Sequence, residues 1–108
     1  MLGAIDEAEE YLGGRDLGAY RTSKLTRRSV ERCLTIISEA SRHVPGSMTD
    51  RYPEIPWPAI RDIGNVLRHR YYAVPDHVIW RTATFSLAEL RPVVVSLLAG
   101  TDPDLEEI

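Results

Sequence analysis

The chain of 108 residues lacks several features that would place it in a specialised class of protein. Cys33 is the only cysteine, which excludes an intramolecular disulfide and a cysteine-rich zinc site. The longest aliphatic run, Val93 to Ala99, is interrupted by Ser96 and is much shorter than the roughly 20 apolar residues of a membrane span. The first residues carry no basic segment of a signal peptide. We therefore expect a cytoplasmic protein with no transmembrane segment.

Two structural patterns are also absent: the alternation of apolar and polar residues that marks half-buried strands, and a glycine-rich phosphate loop. Apolar residues instead recur at spacings of three and four, as on one face of a helix. We predict an all-α fold, an antiparallel bundle of four to five helices, formed by a single domain over residues 1–100. Residues 101–108 are expected to form an acidic, flexible tail.

Local signals predict where the helices begin and end. The first predicted helix spans Leu2 to Leu12 and ends at Gly13-Gly14, and a polar connection follows from Arg15 to Ser23. A long amphipathic helix runs from about Thr26 to Val44, with the Cys33 thiol in its buried seam. A further helix opens at Trp57 or Pro58, and another restarts near Pro75.

The last helix is predicted from a capping box, in which Ser86 precedes Glu89 by three residues. Phe85 and Leu90 flank these residues as a hydrophobic staple. Pro92 lies too deep in this segment to be neutral, so we expect either a kink or a later start of the helix.

Charge is distributed unevenly along the chain. All 13 basic residues lie between Arg15 and Arg91, where they outnumber the acidic residues by five, and 12 of them are arginine. The guanidinium group binds phosphate through two parallel hydrogen bonds, so this region is suited to an anionic ligand. The alternative is that the arginines are solvated helix faces, as in a protein from a GC-rich genome. The net charge of −3 argues against a general DNA-coating protein.

The segment from Arg61 to Tyr72 contains the residues best suited to catalysis. At 100° per residue, several of its polar residues share one arc of the helix, namely Arg61, Asn65, Arg68, His69 and Tyr72. Histidine can transfer protons near neutral pH, and arginine can neutralise charge that builds on a phosphate. These are the two functions that metal-free RNA cleavage by the ribose 2′-hydroxyl requires. The alternative is a surface helix on which His69 merely caps or packs. No histidine pair or carboxylate cluster has metal-ligand spacing, so neither a metal nor a cofactor is expected.

Three segments together resemble the HepT-like family of HEPN proteins. They are the run Tyr-Pro-Glu-Ile-Pro-Trp at 52–57, the run Ile-Gly-Asn-Val-Leu-Arg-His-Arg-Tyr at 63–71, and Ile-Ile-Ser-Glu-Ala at 36–40, which is similar to the family's IIGEA helix. The resemblance covers nearly the whole chain in order. It implies a HEPN-like all-α bundle that forms homodimers. It also implies a toxin ribonuclease whose antitoxin, a minimal nucleotidyltransferase, silences it by transferring AMP to a tyrosine.

The resemblance also implies roles for individual residues. His69 corresponds to the histidine of the family motif, Asn65 to the polar residue that follows the motif arginine, and Tyr71 to the tyrosine that receives AMP. Tyr72 is a second candidate for AMPylation, since residues two apart on a helix point in different directions. The position of the motif arginine holds Gly64, and the nearest substitutes are Arg61 and Arg68.

Two functions follow as competing hypotheses. The first is a homodimeric endoribonuclease toxin that cleaves single-stranded RNA without metal at the cleft between its subunits. Its catalytic residues would be His69, Arg68, Arg61 and Asn65, and AMPylation at Tyr71 or Tyr72 would silence it. The second is a catalytically inactive, dimeric helical partner of the nucleotidyltransferase, with Gly64 marking the lost activity.

Overall fold

The computed structural model describes residues 1–70 and 73–99, and it confirms that the regular structure of these residues is helical. The helices are α1 (Leu2–Leu12), α2 (Leu17–Thr22), α3 (Lys24–Ser41), α4 (Gly46–Thr49), α5 (Trp57–Arg70), α6 (Asp76–Arg81) and α7 (Leu87–Ala99). A π-helical segment, Thr82–Ser86, joins α6 and α7. The homodimer and the flexible tail remain predictions.

Helix α3 is the centre of the packing, because it contacts both α1 and α5. The Ser23 hydroxyl caps its first turn by accepting a hydrogen bond from the Thr26 amide at 3.2 Å. Its buried face includes Val30, Cys33 and Ile37, which confirms the predicted seam. Burial raises the pKa of the Cys33 thiol, so this group behaves as a small apolar side chain.

Helix α2 and the end of α3 differ from the prediction. The segment predicted as a polar connection contains α2, which Asp16 caps by accepting from the Ala19 amide at 2.8 Å. Buried Tyr20 anchors α2 to the core, a tertiary effect that the short polar sequence does not reveal. Helix α3 ends at Ser41, before Val44. The predicted end of α1 is confirmed by Gly13, which has a φ of 55° in the left-handed region.

The predicted last helix, α7, begins at Leu87 as expected, but the predicted capping role of Ser86 is wrong. Helical structure continues from Asp76 to Ala99 through the π-helical segment, so Ser86 does not cap a helix. Ala83, Leu87 and Leu90 lie on the buried side, and the extra residue of the π turn keeps both halves of the helix facing the core. Pro92 lies inside α7, where it has no N–H to donate to the Ala88 carbonyl four residues earlier. Both residues are exposed.

The continuous Asp76–Ala99 helix bears on the predicted absence of a membrane span. Within residues 1–70 and 73–99 it is the one helix long and apolar enough to cross a membrane, with a mean hydropathy of 1.3 over an 18-residue stretch. The expectation above considered only the run from Val93, whereas the π turn makes the helix much longer. Ile79, Leu90 and Leu97 of this helix are buried in the core, so core packing accounts for part of its apolar character.

The buried phenol of Tyr20 gives the fold a predicted dependence on pH. Burial raises its pKa above the ordinary value of about 10, and its hydroxyl has no hydrogen-bond partner among the described residues. The unfolded chain therefore releases this proton at a lower pH than the native chain, and stability falls as the pH rises above about 10. Burial also raises the pKa of the Cys33 thiol, so the fold loses further stability as the pH rises above the ordinary pKa of a thiol.

We expect Tyr20→Phe to flatten the decline of unfolding free energy above pH 10. Near pH 7 the substitution should be neutral or stabilising, because it removes an unsatisfied buried hydroxyl. Urea unfolding at pH 7, 9 and 10.5 measures both effects. An unchanged alkaline slope in the variant would contradict the assignment to Tyr20.

Candidate functional site

The carboxyl-terminal half of α5 presents three of the predicted site residues together. Asn65, Arg68 and His69 are all exposed. Arg68 and His69 lie three and four residues after Asn65, so their side chains neighbour that of Asn65 on the helix surface. The buried residues of α5, Trp57, Gly64 and Leu67, lie on average about a quarter of a turn around the helix from this cluster at ~100° per residue, with Arg68 at the boundary. This packing turns the polar side outward, as its helical spacing predicts.

Helices α3 and α5 pack antiparallel to each other. The Arg42 guanidinium, just beyond the end of α3, donates to the carbonyl of Arg61 near the start of α5, from Nε at 3.1 Å and from Nη2 at 2.9 Å. At the other end of the pair, Leu67 and Arg68 lie beside the α3 segment that contains Arg28 and Arg32. The last turn of α5, with His69, therefore lies toward the amino-terminal half of α3.

The two arginines proposed to replace the motif arginine lie in different surroundings. Arg68 Nη1 contacts Glu39 Oε1 of α3 at 2.8 Å, with both side chains about half exposed. Arg61 is half-buried and lies two turns from His69, about 12 Å along the axis at 1.5 Å per residue. Of these two arginines, Arg68 is therefore the one next to His69, and eight residues of helix separate Arg61 from it.

A polar cross-link holds the middle of α5 against α3. The Ser38 hydroxyl donates to the Arg61 carbonyl at 2.9 Å and accepts from the Gly64 amide at 3.0 Å. Ser38 is completely buried, so both hydrogen bonds lie in the interface between the helices. Both hydrogen bonds of this hydroxyl are made, so its burial costs little free energy. Sliding α5 along α3 would break both bonds, so this contact sets the register of α5 on α3. It thereby positions the Asn65, Arg68 and His69 side chains relative to α3.

Gly64 is required by this close approach of the two helices. A Cβ atom at this position would lie 2.8 Å from Ser38 Oγ and 2.9 Å from Ser38 Cβ. Real Cβ contacts are almost never this short, so no larger residue fits without movement. Ser38 itself stands where the IIGEA pattern has glycine. The missing motif arginine therefore accompanies a serine that fills the space facing it.

The remaining predicted residues contribute less to the site. Tyr71 and Tyr72, the candidates for AMPylation, lie outside the described residues. The two other histidines of the chain, His43 in the turn after α3 and His77 on α6, are also exposed. Among residues 1–70 and 73–99, no group of three or more His, Cys, Asp or Glu side chains could hold a metal ion.

Sequence reasoning missed the residues that α3 contributes. Ser38 and Arg42 bind the backbone of α5, while Arg28 and Arg32 line a groove beside Arg68. Arg28 and Arg32 are four residues apart and share a helix face, which is a signal that the sequence does contain. Ser38 had a signal too, as the departure from the IIGEA pattern. Neither the arginine spacing nor the serine shows which segment of the chain packs against α3.

Comparisons with known proteins identify a family and several relatives of this chain. The family model described as "Ribonuclease HepT-like" matches residues 1–97. A Thermococcus cleftensis protein named "Probable ribonuclease HepT" is 32% identical over 88 residues, which cover 82% of this chain and 80% of that protein. A Methanocaldococcus jannaschii protein with a provisional RNase name is 26% identical over 107 residues, covering 99% of this chain and 89% of the relative. No solved structure gives a significant match.

The described residues form a small helical fold with an exposed arginine and an exposed histidine on one helix. The family match over residues 1–97 is more specific. This chain belongs to the HepT-like ribonuclease family, and its relatives support an RNase function.

Proposed function

We propose that this chain is an endoribonuclease toxin that cleaves single-stranded RNA without metal at a cleft between two copies of itself. The observation that carries the proposal is the exposed cluster of Asn65, Arg68 and His69 on α5 in a chain of a ribonuclease family. Each copy has one such cluster, and a dimer brings two histidines to one cleft. The proposed partners are thus a second copy and the RNA substrate.

The proposed reaction uses these residues in separate steps. The ribose 2′-hydroxyl loses its proton to His69 and attacks the adjacent phosphorus, while the bond from phosphorus to the 5′-oxygen breaks. The leaving 5′-oxygen takes a proton from the protonated His69 of the second copy. The products are a 2′,3′-cyclic phosphate and a 5′-hydroxyl. Arg68 neutralises the charge that builds on the phosphate oxygens, and Asn65 donates a hydrogen bond to the same group.

The proposed regulation follows the resemblance. A minimal nucleotidyltransferase antitoxin transfers AMP to Tyr71 or Tyr72 and thereby silences the enzyme. An adenylated tyrosine within three residues of His69 adds a bulky anion next to the cleft, and its phosphate would repel the RNA backbone.

A second candidate function is favoured by one observation. Gly64 stands where the family motif has arginine, and a side chain at this position would meet Ser38. In this alternative the chain binds the nucleotidyltransferase as an inactive helical dimer.

Cleavage of a mixed RNA pool in EDTA distinguishes the two functions. We expect the wild-type dimer to cleave RNA in EDTA and His69→Ala to lose activity by about 10²–10⁴-fold, the usual contribution of a general acid or base. His77→Ala is the matched control, because that histidine is exposed on α6, and it should leave cleavage unchanged. Absence of cleavage by an unmodified wild-type dimer would favour the inactive partner.

A further inference from the structure

A basic groove between α3 and α5 lies beside the proposed catalytic cluster. It has a volume of about 310 Å³ and is lined by Arg28, Glu31, Arg32, Thr35, Leu67 and Arg68. Three of these six residues are arginines, contributed by two different helices. Because the antiparallel packing places the amino-terminal half of α3 next to the end of α5, the groove leads along α3 from the turn that carries Arg68 and His69.

The arginines of the groove differ in their existing contacts. Arg28 pairs with Glu31 at 3.0 Å, and Arg68 pairs with Glu39 at 2.8 Å. The exposed side chain of Arg32 makes no ion pair or hydrogen bond with any residue that the structure describes. Pairs with exposed partners are held weakly, so a phosphate can replace Glu39 on Arg68 at little cost. Arg32 is available to an anion without any exchange.

We infer that this groove binds the phosphate backbone of the RNA that continues from the scissile bond. The inference rests on the proposed function for the identity of the anion. Arg32 and Arg28 are one helical turn apart, about 6 Å along α3, so they face successive positions of an extended strand. Guanidinium groups bind phosphate through paired hydrogen bonds, which a lysine does not provide. Arg32 thus supplies a positive charge near the site that Gly64 leaves without its arginine.

RNA binding, measured separately from cleavage, tests the groove. The probe is a fluorescein-labelled 12-nucleotide single-stranded RNA of mixed sequence, and His69→Ala serves as the background that prevents cleavage. In fluorescence anisotropy, Arg32→Glu should weaken binding by about tenfold at moderate salt and reduce the salt dependence by about 0.7 per lost phosphate contact. Arg32→Gln should give a smaller loss in the same direction.

Arg81→Glu is the matched control, since it makes the same charge reversal on exposed α6 outside the groove. Its change in log Kd should be less than half of the change caused by Arg32→Glu. Equal losses for Arg32→Glu and Arg81→Glu, or no loss for either, would overturn the groove. If the wild-type chain cleaves RNA but Arg32→Glu does not weaken RNA binding, the groove alone is refuted. Binding that depends on Arg32 in a chain that cleaves no RNA would refute only the proposed catalysis.

Discussion

Gly64→Ala is expected to destabilise the protein by about 2 kcal/mol. Overpacking a tight interface costs about 1–3 kcal/mol, and disturbing the Ser38 hydrogen bonds costs about 1 kcal/mol more. The better helix propensity of alanine returns at most about 1 kcal/mol. The cost arises because the new Cβ would lie 2.8 Å from Ser38 Oγ and 2.9 Å from Ser38 Cβ. Urea unfolding at pH 7 measures the effect.

Two further variants show whether the clash with Ser38 is the cause. Ser38→Gly removes both atoms that the new Cβ meets, so Ser38→Gly/Gly64→Ala should be much more stable than the sum of the single changes predicts. Gly3→Ala is the matched control, because Gly3 also lies in a helix but its added Cβ meets nothing within 4 Å. It should be neutral or slightly stabilising. A Gly64→Ala protein as stable as wild type would disprove the tight contact.

Arg68→Ala should lower kcat/KM for RNA cleavage by about 10²–10³-fold, as loss of a preorganised donor to a transition-state oxyanion does. Arg61→Ala should lower it by less than about tenfold, because Arg61 lies about 12 Å from His69 along the helix axis. The comparison decides which arginine replaces the one absent at Gly64. Steady-state cleavage of a defined RNA, with circular dichroism of each variant, provides the measurement.

Conservative variants separate charge from hydrogen-bond geometry at Arg68. Arg68→Lys keeps the charge but loses the planar fork, so it should recover only part of the rate. Glu39→Gln removes the carboxylate that holds Arg68 at 2.8 Å and should leave cleavage equal or faster. A larger loss in Arg61→Ala than in Arg68→Ala would assign the role to Arg61.

The local pattern was sufficient where one helix face decides the outcome. The spacing of Val30, Cys33 and Ile37 predicted the buried seam of α3, and the spacing of Asn65 and His69 predicted their shared exposed face. It failed at Ser86, where a capping box is present but helical structure already continues from the preceding turn. Packing of Ala83 and Leu87 against the core stabilises a continuous helix by more than the cap would contribute.

The sequence by itself determined the helical class, the arginine-rich middle and the resemblance to a ribonuclease family, because composition and helical spacing are local properties. Only the tertiary structure decided that Ser38 faces Gly64 and that Arg28 and Arg32 of α3 flank Arg68. These contacts join residues more than 20 positions apart. Their partners are set by how α3 and α5 pack, and no spacing within either helix specifies that register.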